Sequence, residues 1–345
     1  MTGSTMNKKV CCFGELLLRL SPVLGRQWIE SATMPVFIGG AELNVATALA
    51  GWNMPVEYST ALPDNYLSRE ICDHISQKKI GTRSIHFSGE RIGTYYLPQG
   101  TDLKNGGVIY DRKYSSFGSL RPGMIDWDDV LQDVRWFHFS AISPALTEDV
   151  AAVCREGAAV AATKGITVSI DLNYRASLWK YGKKPAEIMP SLVELCDVVM
   201  GNIWAANSLL GIDVDQEIHL NGSRQDLLAH ANSTSIAVHK LFPKVKTVAN
   251  TFRFDQGNGG ILYYASLDTG GRQYHSTELV ASSIVDKVGS GDCFMAALIY
   301  GLSHQHASQE VIETAARAAF GKLLEKGDAT RQNMETIKKS IRAHG

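Results

Sequence analysis

A proton acceptor at the mouth of an anion-binding turn is the most chemically suggestive arrangement in this chain. Residues 280–302 carry an apolar, β-branched run, then Gly289-Ser-Gly-Asp292, then an apolar stretch that reads as a helix beginning straight after Asp292. Glycines let a backbone approach an anion closely, and the first amides of a helix have no internal partners. Gly289, Ser290 and Gly291 therefore form a candidate cradle for a phosphate or oxyanion. Asp292 stands where a nucleophilic hydroxyl would lose its proton. Aspartate is also a common helix cap, and the local sequence leaves both roles open.

A second glycine pair, Gly39 and Gly40, ends a predicted strand and opens an alanine-rich helix with Asn44 in its first turns. Glycines beside a polar side chain suit a hydroxylated ligand; a tight turn with a buried, satisfied Asn is the competing role. Between residues 93 and 114 two short alternating runs flank a polar loop, which predicts a hairpin acting as a lid. Its Tyr95, Tyr110 and Arg112 combine aromatic surface with a planar cation, a set fit to hold a carboxylate-bearing sugar, or else to pack across the strands. Exposed edge strands and aromatics in such a lid seek a partner, so a homodimer formed through the lids is expected.

The elements that position these groups alternate. Strands are predicted at 9–20 (broken by Gly14), 56–62, 84–87, 136–140, 166–172, 197–202 and 244–253, with helices at 64–79, 148–164 and 185–196. That pattern is an α/β fold with a mostly parallel central sheet. Ligands in such sheets bind outside the carboxyl ends of the strands, which places Asn173, Arg175, Asn202, Asn250, Thr251 and Arg253 near a site. A hairpin at 260–276 and helices at 310–325 and 333–343 complete the chain. No repeat or break in composition marks a second domain, so residues 1–345 read as a single domain with a lid from about 15–37 and 90–118.

Composition narrows the classes. The 345 residues are 45% apolar and 20% charged, with a formal charge of −1 and no long basic run, so a nucleic acid partner is not expected. Six scattered cysteines without CxxC pairs read as reduced thiols in the cytoplasm. The apolar run at 10–20 is broken by Glu15 and Arg19, and no uncharged stretch is long enough to span a bilayer, so neither a signal peptide nor a membrane partner is expected. Phosphoryl transfer asks for anion donors, a cation and a proton acceptor, and the turn from Gly289 to Asp292 supplies the first and the third. A Walker loop is absent, because the Gly-Lys pairs at 182 and 321 lack the upstream glycine and the following Ser or Thr. HRD and DFG sets and a GxGxxG strand end are absent as well.

Asp286-Lys-Val-Gly-Ser-Gly-Asp292 resembles the C-terminal signature of the ribokinase-like, or PfkB, carbohydrate kinases, roughly D-[TR]-x-G-[AG]-G-D. Gly39-Gly-Ala-Glu-Leu-Asn-Val-Ala46 is similar to the family's N-terminal sugar-binding signature, and the likeness spans nearly the whole chain. Within the family the chain resembles the 2-keto-3-deoxygluconate kinases through Gly14-Glu15, residues 39–44, the Tyr95 hairpin, residues 108–112, His138-Phe-Ser140 and Asp171-Leu-Asn-Tyr-Arg175.

The resemblance implies a ribokinase-like three-layer α/β/α sandwich with a small β-sheet lid. It implies ATP-dependent phosphorylation of a primary hydroxyl on a small sugar acid, with Asp292 as base and the turn from Gly289 through Ser290 and Gly291 as anion hole. Gly39, Gly40 and Asn44 would meet sugar hydroxyls, Tyr95 and Tyr110 would pack on the sugar, and Arg112 and Arg175 would lie near its carboxylate. Asn202, Thr251, Arg253, Lys287, Gly289 and Gly291 would face ATP, with Mg²⁺ carried in on the nucleotide and no separate protein metal site. Two positions depart from the family pattern: Lys287 replaces its usual Thr, and Ala205 stands where an N-x-x-E motif has Glu. A fructokinase- or ribokinase-like kinase of neutral sugars, and a sugar-binding member without catalysis, are the alternatives.

Overall fold

Along the strand Lys9–Phe13, Val10 and Cys12 pack into one hydrophobic core while Cys11 and Phe13 pack into another. A strand buried on both faces belongs inside a sheet that is covered on both sides. The computed structural model, which describes residues 8–98, 107–215, 217–257 and 259–342, has this arrangement. Its main sheet runs in the order Arg272–His275, Ile261–Thr269, Thr247–Asp255, Val198–Gly201, Thr167–Asp171, Val134–Ser140, Lys9–Phe13, Val56–Leu62, Ile80–Gly81. From Thr247–Asp255 to Ile80–Gly81 every neighbour is parallel; the strands beyond Thr247–Asp255 turn antiparallel.

Helices Ala41–Gly51, Tyr66–Gln77, Ser290–Ser303 and Ser308–Leu323 cover one face. Glu148–Thr163, Ile203–Leu210 and the end of Arg224–Leu241 cover the other. The expected ribokinase-like α/β/α sandwich is thus the fold. Residues 185–196 differ from expectation and form two short helices, Pro185–Ile188 and Pro190–Val193, rather than one. Pro190 brings no amide hydrogen with which to extend the first of them.

A second sheet of four strands forms the predicted lid. Leu17–Leu20 pairs antiparallel with Val36–Gly39 and parallel with Gly93–Tyr96, and Gly93–Tyr96 pairs antiparallel with Ile109–Asp111. Residues 99–106 of the expected hairpin lie outside the described residues. Leu17, Tyr95 and Leu97 pack together with Val288, which seats the lid beside the glycine turn.

Candidate active site

Gly289 caps the N-terminus of helix Ser290–Ser303 with φ 78°, a left-handed conformation that favours glycine. A Cβ there would fall 1.7 Å from the carbonyl oxygen of Asp328, so no other residue fits without moving a backbone. The helix's first internal bond runs from the Cys293 amide to the Gly289 carbonyl at 2.9 Å. The amides of Ser290, Gly291 and Asp292 precede it and have no helical acceptor. The helix therefore starts before Asp292 rather than after it, and Asp292 is not the cap: its Oδ2 accepts a hydrogen bond from Asn44 Nδ2 at 2.7 Å.

Asn44 is delivered by helix Ala41–Gly51, which follows Gly40 at φ 136°. A side chain at Gly40 would meet the Glu15 carbonyl at 2.4 Å, so this close crossing fixes where the helix begins. Gly39 sits in the lid strand opposite Leu17 and against the Asp328 carboxylate, outside the cleft wall. In the same helix Glu42 is buried and accepts the Ser140 amide hydrogen at 2.9 Å, tying the motif to strand Val134–Ser140.

Burial pushes the Asp292 carboxyl up to about 7; Asn44 opposes that rise, Glu42 adds to it, Arg175 opposes it and Asp328 adds to it. A base needs its ionised form, and that form appears as pH rises through this value. The expected result is a kcat/KM for phosphoryl transfer that climbs about tenfold per pH unit below about 7 and levels above it, measured across buffers of constant ionic strength.

The turn opens into a cleft of about 830 Å³ that gathers most of the predicted residues: Gly40, Asn44, Tyr95, Tyr110, Arg175, Asn202, Thr251, Arg253, Lys287 and the turn itself. Tyr95 and Tyr110 form one tilted aromatic wall, with centroids 6.2 Å apart, and the Tyr95 hydroxyl donates to Asp328 Oδ2 at 3.3 Å. The Arg175 guanidinium donates to the Tyr174 carbonyl at 3.0 Å and has no carboxylate within ion-pair distance among the described residues. Asn202 caps helix Ile203–Leu210 by accepting the Ala205 amide hydrogen at 2.8 Å, and the Thr251 hydroxyl donates to the Gly201 carbonyl at 3.2 Å. Lys287 pairs with Asp255 at 2.7 Å.

Arg112 is placed differently from the sequence expectation. It is 8% exposed, does not line the cleft, and binds the buried Glu15 carboxylate through Nε at 2.7 Å and through Nη2. A buried carboxylate must be neutralised, and Glu15, which carries the chain into the lid, claims the guanidinium first.

Sequence reasoning missed Glu15, Glu42, Asp171, Arg19 and Asp328 as parts of the site region. Asp328 is buried against Arg19 at 2.6 Å beneath the lid, and only its place in a Gly-Asp loop between helices hinted at it. Among the described residues no three His, Cys, Asp or Glu side chains are grouped to hold a metal ion, and the cleft wall carries Ala205 at the departing position.

The family model described as pfkB family carbohydrate kinase matches residues 7–335. A 2-dehydro-3-deoxygalactonokinase from Haloferax volcanii is 27% identical over 315 residues, covering 90% of this chain and 88% of that protein. The crystal structure of a 2-dehydro-3-deoxygluconokinase from Thermotoga maritima superposes with a TM-score of 0.87 at 33% identity, covering 97% of this chain and 99% of the other. A PfkB family carbohydrate kinase from Listeria grayi gives 0.84 at 29% identity, covering 97% and 100%.

Proposed function

The chain belongs to the pfkB family of carbohydrate kinases, and we propose that it moves the γ-phosphoryl group of ATP to the primary hydroxyl of a small sugar acid. The acceptor class is the 2-keto-3-deoxy aldonic acids, with 2-keto-3-deoxygluconate first; the two epimers named for its relatives differ in a hydroxyl, not in the carboxylate. The observation that carries this reading is the 2.7 Å contact between Asn44 and Asp292, through which two motifs 248 residues apart build one site. Asp292 takes the proton of the attacking hydroxyl while the amides at the start of helix Ser290–Ser303 meet charge on the transferring group. Arg253 and Lys287 lie in the same cleft on the nucleotide side of this assignment, with Asn202 just past the end of strand Val198–Gly201 and Thr251 in the neighbouring strand Thr247–Asp255.

Arg175 and Arg253 both line the cleft; with Arg253 assigned to the nucleotide, Arg175 is the partner for the acceptor's carboxylate. Arg112 supports the lid through Glu15 and reaches the acceptor only if that pair opens. A panel of acceptors with and without a carboxylate, read as ADP release, tests the assignment. Arg175→Ala is expected to lower kcat/KM for the sugar acid by roughly 10- to 100-fold and to leave a neutral sugar within a few-fold. Equal losses on both would remove the carboxylate from the account. Ala205 favours one rival, a sugar-binding protein without transfer; wild-type protein that binds acceptor yet releases no ADP with any nucleotide and divalent metal would establish it.

Two further parts of the reading concern context. Val36 and Ile109 on the lid strands are 54% and 64% exposed, a surface suited to a second copy of the lid, and light scattering is expected to give twice the chain mass. Six free cysteines suit a reducing compartment such as the cytoplasm.

A further inference from the structure

Asp171 ends strand Thr167–Asp171 in the middle of the main sheet and forms part of the cleft wall while only 6% exposed. Its backbone is fully used, paired to strands on both sides, with its carbonyl accepting the Ala141 amide hydrogen at 2.8 Å. Each neighbouring buried acid has its partner: Glu15 has Arg112 and Ser115, Glu42 the Ser140 amide, Asp328 Arg19, and Asp292 Asn44. Asp171 has none, for among the described residues its carboxylate accepts no hydrogen bond. The charges that act on it belong to Asp292, Arg175 and Glu42.

A carboxyl that lines the cleft and takes no donor from the protein ties no part of the fold together, so its partner comes from what enters the cleft. Asp171 and Asp292 line one cleft and repel each other when both are ionised, and a ligand offering two hydroxyl donors would relieve both at once. We propose that Asp171 is a specificity-determining residue that binds the secondary hydroxyl next to the phosphorylated one, so that Asp171 and Asp292 together hold a terminal vicinal diol. This deepens the kinase reading and rests on it, but not on the acceptor's carboxylate. It makes the kinase select for a hydroxyl beside the reacting carbon, because a site built for a hydroxyl is left with an unpaired buried group when the hydroxyl is missing.

The test pairs the acceptor phosphorylated by the wild type with its analogue lacking that neighbouring hydroxyl, against wild type, Asp171→Ala and the isosteric Asp171→Asn. Thermal melts check that each variant folds. Both variants are expected to lose roughly 10- to 100-fold in kcat/KM on the diol acceptor and less than about threefold on the analogue. An equal loss on both acceptors, no loss on either, or a loss reversed by raising magnesium overturns the proposal. Should the wild type phosphorylate no acceptor, the kinase reading falls separately. Calorimetric binding of the same two sugars to wild type and Asp171→Asn then replaces the kinetics: a loss of affinity confined to the diol supports the role of Asp171, and an equal loss or none overturns it.

Discussion

Replacing Asp292 with asparagine is expected to lower kcat by roughly 100- to 10,000-fold while acceptor affinity stays within a few-fold. The amide keeps the size of the side chain and can still accept the Asn44 hydrogen bond, so what is lost is the ability to take a proton. The same substitution is expected to stabilise the unliganded protein above pH 7. Asp292 holds its proton up to about 7 in the native state, whereas an unfolded chain gives it up near the ordinary value of 3.8. Between those values the native state binds more protons than the unfolded state, so stability declines as pH rises and the loss is complete above about 7. Asparagine removes that decline. A rise in Tm of about 1–4 °C at pH 8, shrinking toward zero near pH 4, is the expected signature in differential scanning calorimetry. A variant less stable at pH 8 would mean that the Asp292 carboxylate is needed for the fold.

Gly289→Ala is the second large expected effect, and it acts on the cradle rather than the base. Alanine at φ 78° costs about 1–2 kcal/mol for its backbone alone. The added Cβ would also sit 1.7 Å from the Asp328 carbonyl oxygen, a contact that only backbone movement can relieve. Together these are expected to cost more than about 3 kcal/mol of stability and to lower kcat/KM at least about 100-fold as the turn shifts away from the reacting group. Gly291→Ala is the informative contrast. Gly291 has no positive φ and nothing within 4 Å of its would-be Cβ, so the fold does not require a glycine there. Stability is expected to hold or rise by about 0.5–1 kcal/mol while activity falls, because the new methyl narrows the approach to the amides. Chemical denaturation and steady-state kinetics on both variants separate a glycine kept for folding from one kept for a ligand.

These effects trace to features of unequal legibility in the sequence. The alternation of strands and helices is plain because strands buried on both faces read as continuous apolar runs between turn signals. Local chemistry marks the turn from Gly289 to Asp292, since closely spaced glycines before a helix have few other uses. The start of the helix at Ser290 is harder to see: Gly289 caps through backbone conformation and leaves no side-chain signal. Arg112 misleads for a different reason. An arginine beside tyrosines on a lid suits a carboxylate, but only the folded chain brings Glu15, 97 residues earlier, within reach of it. Asp171 and Asp328 likewise acquire meaning from what surrounds them, one from the absence of a donor among the described residues and the other from Arg19. Partner choice among buried charges is a property of three-dimensional neighbours, which periodicity and spacing do not encode.

The most direct test of the account is the position of the new phosphate. Wild-type protein incubated with 2-keto-3-deoxygluconate, ATP and magnesium should release ADP in step with a phosphomonoester whose ³¹P resonance couples to the two protons of the terminal carbon. The Asp292→Asn variant should form almost none of it. ATP turnover without an acceptor product, an ester on a secondary carbon, or full activity in that variant would contradict the assignment of Asp292 and the glycine turn as the centre of the reaction.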